Sequence, residues 1–218
     1  MTIHKKVPKL AIIDYGMGNL NSVVKAWKQV GAEPYLISEA QEANKADILV
    51  FPGQGAIIET MAMLKKTGLD ELIRGWIASD RPFFGICLGL QALFDFSEEG
   101  NINGLGVFKG IVKKFPAAIN ECANLKVPHM GWNSISFDND KAGSIVENIR
   151  NDMDQFYFVH SYYVDPFDEK LILFETDYGK RFCSGIRYGN CIAVQFHPEK
   201  SQVKGLQLYS NILKTFSY

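Results

Sequence analysis

Short, continuous apolar runs alternate with helical stretches through the N-terminal half of the chain, and this alternation restricts the fold more than any other feature. Leu10 to Ile13, Pro34 to Ile37, Ile48 to Phe51 and Phe83 to Ile86 read as buried strands. Between them, Asn19 to Val30 carries Val23, Val24, Trp27 and Val30 on one stripe and stops at Gly31. Ile57 to Lys66 and Leu69 to Ala78 give two more helices, and a further one is expected from Leu88 to about Phe96. Strands separated by helical crossovers pair in parallel. From Gly106 the texture changes to runs rich in β-branched and aromatic residues: Val107 to Phe115, Trp132 to Phe137, Gln155 to Val164, Leu171 to Thr176, Cys183 to Arg187 and Cys191 to Gln195. These predict hairpins, with a turn at Tyr188-Gly189-Asn190. Val203 to Phe216 closes as an amphipathic helix with Leu206, Tyr209, Leu213 and Phe216 on one face. With no repeat and no low-complexity linker, residues 1–218 read as one α/β domain.

The composition narrows the function classes. A content of 47% hydrophobic and 22% charged residues excludes disorder, and a formal net charge of −1 gives no global positive field for a nucleic acid backbone or an anionic bilayer. No apolar run approaches the ~20 residues that span a bilayer. Lys5, Lys6 and Lys9 imitate an export signal, but the apolar run after them is too short, so the expected location is cytoplasmic. Cys87, Cys122, Cys183 and Cys191 are too few for a disulfide scaffold and lack metal-ligand spacing, so neither a metal nor a cofactor is expected.

In Gly85-Ile86-Cys87-Leu88-Gly89 an apolar strand gives way to a helix at a cysteine flanked by glycines, the cysteine version of a nucleophile elbow. Such a turn strains its central residue, leaves little room for a neighbouring Cβ and pushes the thiol out toward a substrate. The amide of Leu88 then stands ready to donate to an oxyanion. A buried core cysteine beside packing glycines fits this motif equally well when it is taken alone. Gln195-Phe196-His197-Pro198-Glu199-Lys200, between the last strand and the last helix, shifts the balance. Attack by a cysteine on a carbonyl needs an imidazole to move the proton and a carboxylate to orient that imidazole. His197 and Glu199, two apart in extended chain around Pro198, point to one side. Gly16-Met17-Gly18-Asn19 imitates a dinucleotide fingerprint, but Asn21 stands where its third glycine belongs and no acid follows at the required distance. Asn19 reads instead as a helix cap. His129 and His160 read as packed structural residues, and Cys122, Cys183 and Cys191 as inert.

Six segments together resemble the class I (triad) glutamine amidotransferases along nearly the whole chain. They are Asp14-Tyr15-Gly16-Met17-Gly18-Asn19, Phe51-Pro52-Gly53-Gln54-Gly55-Ala56, Gly85-Ile86-Cys87-Leu88-Gly89-Leu90-Gln91, Pro128-His129-Met130-Gly131-Trp132-Asn133, Phe156-Tyr157-Phe158-Val159-His160-Ser161-Tyr162 and Gln195-Phe196-His197-Pro198-Glu199-Lys200-Ser201. The Pro-His-Met-Gly-Trp-Asn and His-Pro-Glu-Lys-Ser stretches are most similar to the branch of the family that serves imidazole glycerol phosphate synthesis. The resemblance implies a three-layer, flavodoxin-like fold: a central, mostly parallel sheet flanked by helices, with an antiparallel strand-rich C-terminal part.

It also implies roles. Cys87 would attack the side-chain amide of L-glutamine, His197 would protonate the departing ammonia and later activate water, and Glu199 would orient His197. Leu88 would give one oxyanion donor, and the Gly53-Gln54 backbone the other, held turned away in relatives until the partner binds substrate. Many members carry an aliphatic residue where Gln54 stands, a departure of little weight if only the backbone amide is used. Gln91 would contact bound glutamine, and the Ser161-Tyr162 backbone would read its α-amino and carboxylate groups. Asn19, Trp132, Lys200 and Ser201 would border a partner, a (β/α)8-barrel cyclase that consumes the ammonia in histidine synthesis. A paralogue feeding a sugar-amidating synthase would share every catalytic residue. A non-catalytic binding module would lack a triad member, and a cysteine peptidase on a related fold would lack the segments around Gly53 and Gln91.

Overall fold

The computed structural model describes residues 7–16, 20–116 and 125–216. Asn19 and Cys122 lie outside the described residues. Four apolar runs form the strands β1 (Lys9–Ile13), β2 (Glu33–Ile37), β3 (Ile48–Gly53) and β4 (Phe83–Cys87). They pair in parallel in the order β2-β1-β3-β4, with α1 (Asn21–Gln29), α2 (Ile57–Thr67) and α3 (Leu69–Ala78) on the crossovers. Alternate side chains of each strand serve opposite faces. Leu10 and Ile12 join Val50, Phe84 and the Val23, Ala26 and Trp27 stripe of α1 in one core, while Ala11 and Ile13 join Leu49, Phe51 and the apolar faces of α2 and α3 in the other.

Beyond α4 (Leu88–Gln91) come β5 (Phe94–Ser97), β6 (Ile102–Asn103), β7 (Phe108–Lys114), β8 (His129–Ser134), α5 (Asn139–Ala142), β9 (Gln155–His160), β10 (Tyr162–Pro166), β11 (Ile172–Asp177), β12 (Arg181–Tyr188), β13 (Cys191–Val194) and α6 (Gln202–Phe216). Among the described residues the main sheet has 11 strands. It runs β2-β1-β3-β4-β13-β12-β10-β7-β5-β6, with β11 on β12, while β8 and β9 form a separate ribbon. The pairs β1–β2, β1–β3, β3–β4, β4–β13 and β5–β7 are parallel, and the remaining pairs of the C-terminal part are antiparallel. This is the expected three-layer α/β architecture. No helix of the described residues is long and apolar enough to cross a membrane.

Three expectations need correction. The helix read from Leu88 to Phe96 ends at Gln91, because the returning chain claims the carbonyls that would continue it: Leu105 donates to Ala92, Phe108 to Leu93 and Gly106 to Phe94. Phe94 and Phe96 then pair with β7 as strand residues. The run from Gln155 to Val164 is two strands, divided at Ser161; β9 faces β8 in the ribbon, and β10 faces β7 in the main sheet. The buried face of α6 is Gly205, Leu208, Tyr209 and Ile212, so of the four residues expected there only Tyr209 lies fully inside.

Candidate active site

The parallel core brings distant residues together by aligning the carboxyl ends of its strands. Gly53 ends β3, Cys87 ends β4 opposite it in register, and His197 follows β13, the strand on the other side of β4. A crevice at the carboxyl edge of parallel strands is where open α/β sheets bind ligands. Here it is a cavity of about 410 Å³ whose walls include Cys87, His197, Gly53, Gln54, Leu88, Gln91, Ser161, Tyr162 and Lys200.

Cys87 sits at φ +52°, ψ −106°, a conformation non-glycine residues rarely adopt and one that costs about 1–3 kcal/mol. Its neighbours hold it there by leaving no alternative space. A Cβ on Gly89 would overlap the Phe51 carbonyl oxygen, and one on Gly85 would lie 2.9 Å from the Ala193 Cβ. The Cys87 side chain is half-buried at the cavity, where its sulfur acts on the His197 imidazole.

His197 and Glu199 are almost fully enclosed, with Nδ1 2.7 Å from Oε1. Burial alone depresses the imidazole pKa, but the adjoining Cys87 sulfur and the Glu199 carboxylate outweigh it and raise the value to about 10. The loop bearing the pair is fixed through Tyr157 of β9. The His197 amide donates to the Tyr157 carbonyl at 2.8 Å, and the Tyr157 amide donates to Ser201 Oγ at 3.0 Å. Ser201, expected at a partner surface, is therefore a correction: it is buried, and its hydroxyl donates to the His197 carbonyl at 2.7 Å. Lys200 and Trp132 are exposed.

The remaining expected residues occupy the cavity in a particular arrangement. The Gln91 amide nitrogen donates to the Tyr162 carbonyl at 2.9 Å and to Gln195 Oε1 at 3.0 Å, so its protons serve the wall of the pocket. Gln195 in turn donates to Cys87 Sγ at 3.5 Å. Tyr162, whose carbonyl also takes a hydrogen bond from His160 Nδ1 at 2.7 Å, is thus fixed twice. The Gln54 amide donates at 2.9 Å to the hydroxyl of Tyr15, which itself donates to the Gln54 carbonyl at 3.1 Å. His129 and His160 are buried and bonded to each other at 3.0 Å, and burial lowers their pKa values to about 4 and about 3. Burial also pushes Cys183 up to about 12, leaving an unreactive thiol. Among the described residues no cluster of three or more His, Cys, Asp or Glu side chains is placed to hold a metal ion.

Sequence reasoning missed three residues: Gln195, Tyr15 and Glu99, a carboxylate on the cavity wall whose pKa is raised by burial. Gln195 and Tyr15 stood inside motifs already singled out. For Glu99 no local pattern marked it.

The sequence model of the family described as glutamine amidotransferase class-I matches residues 11–215. The chain is 45% identical over 207 residues to a protein of Acinetobacter baylyi named imidazole glycerol phosphate synthase subunit HisH, covering 94% of this chain and 98% of that one. It is 47% identical over 205 residues to the same-named subunit of Pseudomonas savastanoi pv. phaseolicola (93% and 95% covered) and 46% identical over 205 residues to that of Aquifex aeolicus (93% and 95%). Among solved structures, PurLQS from Thermotoga maritima superposes with a TM-score of 0.73 at 16% identity, over 96% of this chain and 99% of that one. A structure titled glutamine amidotransferase gives 0.72 at 16% identity over 95% and 99%. These two likenesses are of fold.

Proposed function

The chain belongs to the class-I glutamine amidotransferase family, and from that membership we propose that it is the glutaminase subunit of an imidazole glycerol phosphate synthase, built on Cys87, His197 and Glu199. The Cys87 sulfur attacks the carboxamide carbon of L-glutamine, and the oxyanion that forms takes a hydrogen bond from the Leu88 amide. His197 gives its proton to the departing nitrogen, so that ammonia leaves and a glutamyl thioester remains. The same imidazole then draws a proton from water, hydroxide adds to the thioester, and glutamate is released as the thiol is restored. Glu199, at 2.7 Å from Nδ1, holds the imidazole with its other nitrogen toward sulfur and balances its charge.

Ammonia freed into neutral water is mostly protonated and no longer a nucleophile, so this hydrolysis is useful when a second protein receives the ammonia directly. A (β/α)8-barrel cyclase fits that part. It would use the ammonia to form imidazole glycerol phosphate and an aminoimidazole carboxamide ribonucleotide in histidine synthesis. The relatives named above carry the names of synthase subunits and match over 93–94% of this chain and 95–98% of their own, and the family match at 11–215 supports reading the chain as one amidotransferase domain. The observation that carries the reading is the meeting of a strained, half-buried Cys87 with the enclosed His197–Glu199 pair in one cavity.

The test is Cys87→Ser in the complex with the cyclase. Glutamine-dependent synthesis should fall by at least about a thousandfold while synthesis from added ammonium persists. Glutamine-dependent turnover at the wild-type rate would remove Cys87 from the mechanism. Failure to form imidazole glycerol phosphate with the barrel, from either nitrogen source, would assign the glutaminase to another synthase.

A further inference from the structure

The Cys87 sulfur has a neighbour without a part in the triad chemistry. Val194 of β13 lies opposite Ile86 of β4 in register, so the residues that follow them, Gln195 and Cys87, come to stand side by side at the carboxyl edge of the sheet. Gln195 is fully buried, its backbone amide donates to the Ser184 carbonyl at 2.9 Å, and its side-chain nitrogen lies 3.5 Å from Cys87 Sγ.

Which end of that side chain meets the sulfur follows from its other partner. The Tyr162 carbonyl can only accept, so Gln91 must turn its NH2 group toward it, at 2.9 Å. The second proton of that group needs an acceptor of its own, and Gln195 Oε1 supplies it at 3.0 Å. With its oxygen engaged by Gln91, Gln195 has only N–H to offer the sulfur. A buried, uncharged donor is thus aimed at the reacting atom, and its influence is on the charge that atom carries.

That charge changes within one turnover. In the glutamyl thioester the sulfur is neutral and accepts hydrogen bonds poorly. His197 then takes a proton from water, hydroxide adds to the thioester carbon, and the carbon–sulfur bond breaks with its electron pair going to sulfur. The glutamic acid formed gives its proton to solvent, and the proton held by His197 is the one that restores the thiol. A hydrogen bond to an anion is roughly twice as strong as one to a neutral acceptor, so a donor at the sulfur favours this bond-breaking transition state over the thioester. In the first half of the reaction the sulfur gives its electron pair away, and the same donor brings no advantage there.

We propose that Gln195 is a catalytic residue for the second half of the reaction, its side-chain amide stabilising the charge that returns to the Cys87 sulfur as the glutamyl thioester is hydrolysed. This deepens the glutaminase reading and rests on it.

The test compares Gln195→Met, close in volume but without a donor, with Gln91→Met, both in complex with the cyclase carrying its nucleotide ligand. The bond between the two glutamines is gone in each variant, so a rise in KM from a loosened cavity wall is common to both. Gln195→Met should also lower kcat for glutamine about tenfold, and it alone should accumulate the glutamyl thioester, seen as a covalent adduct by mass spectrometry after acid quenching. No adduct in Gln195→Met, or the same amount in both variants, overturns the proposal and leaves Gln195 a brace of the wall. A wild-type complex that neither hydrolyses glutamine nor forms any adduct overturns the glutaminase reading itself. If Gln195→Met fails to fold, the wild-type protein reports the same contact. Its Gln195 side-chain amide protons, followed by ¹H–¹⁵N NMR, should move upfield when iodoacetamide alkylates Cys87 and leaves the sulfur neutral. A downfield shift, or none, overturns the proposal.

Discussion

Glu99 carries a negative charge to the wall of the cavity that holds Cys87, and burial raises its pKa because water is thinned around it. A free amino acid substrate offers an α-ammonium group to meet such a carboxylate, and that group stays the same throughout the reaction at the side-chain amide. The contact therefore binds ground state and transition state alike. Glu99→Gln should raise KM for glutamine by about tenfold with kcat within about twofold of wild type, measured at neutral pH in the complex. A fall in kcat with KM unmoved would place Glu99 in the chemical step instead. The residues that local sequence could identify are those whose partners are near in the chain: His197 and Glu199 two apart, Cys87 within its glycines. Glu99, Gln195 and Tyr15 escaped because their partners are distant. Gln195 reaches Cys87 across 108 positions and Tyr15 reaches Gln54 across 39, and no window of sequence displays such pairs.

At the scale of elements, the parallel core was legible and the C-terminal part less so, for a physical reason. Strands such as Leu10 to Ile13 are apolar on both faces and end at distinct punctuation, so their limits are set locally. Phe94 to Ser97 and Tyr162 to Pro166 become strands of the main sheet only because β7 lies ready to pair with both, a long-range fact that periodicity cannot express. The split at Ser161 matters most, since it lets β9 leave the main sheet and join β8. The ribbon's end is held by His129 and His160, opposite each other in register and bonded at 3.0 Å. His129 is sandwiched between Phe158 and Tyr178, with ring centroids at 4.6 and 3.9 Å. Both imidazoles stay neutral in the folded chain down to about pH 4, whereas in the unfolded chain they take protons from about 6.5 downward. The unfolded state then binds more protons, so stability falls as pH falls from 6.5 toward 4. At pH 5 the loss relative to pH 7.5 should be roughly 2 kcal/mol for each histidine. His197, raised to about 10, works in the opposite sense above pH 6.5 but equally in wild type and variant, so the comparison is between them: urea unfolding at the two pH values should show roughly 2 kcal/mol less pH dependence in His129→Gln than in wild type. The same dependence in both proteins would mean that His129 is charged or solvated in the folded chain.

On the whole molecule, the loop that carries His197 runs from the cavity to a second surface feature. Next to Lys200 at the cavity mouth the chain turns into α6, and the surface there shows a groove of about 470 Å³ bordered by Trp132, Met153 and Val203. These three are 44%, 64% and 76% exposed, an unusual display of large apolar side chains for a chain whose net charge and core are otherwise ordinary. Around them lie Gln155, Gln202 and the Asp154–Lys204 ion pair at 2.8 Å, so the face has the apolar centre and polar rim that suit a protein partner. Sequence alone named Trp132 and Lys200 for this face but not Met153 or Val203, because exposure depends on where β9 and α6 come to rest. A protein partner that seats on this groove should depend for its binding on the apolar centre. Val203→Glu places a charge in that centre without touching the catalytic groups, and it should weaken the complex by tenfold or more while glutamine hydrolysis by the isolated chain is unchanged. Calorimetric titration of the variant with the cyclase measures the first effect, and a glutaminase assay the second. Undiminished affinity would place the interface away from this groove.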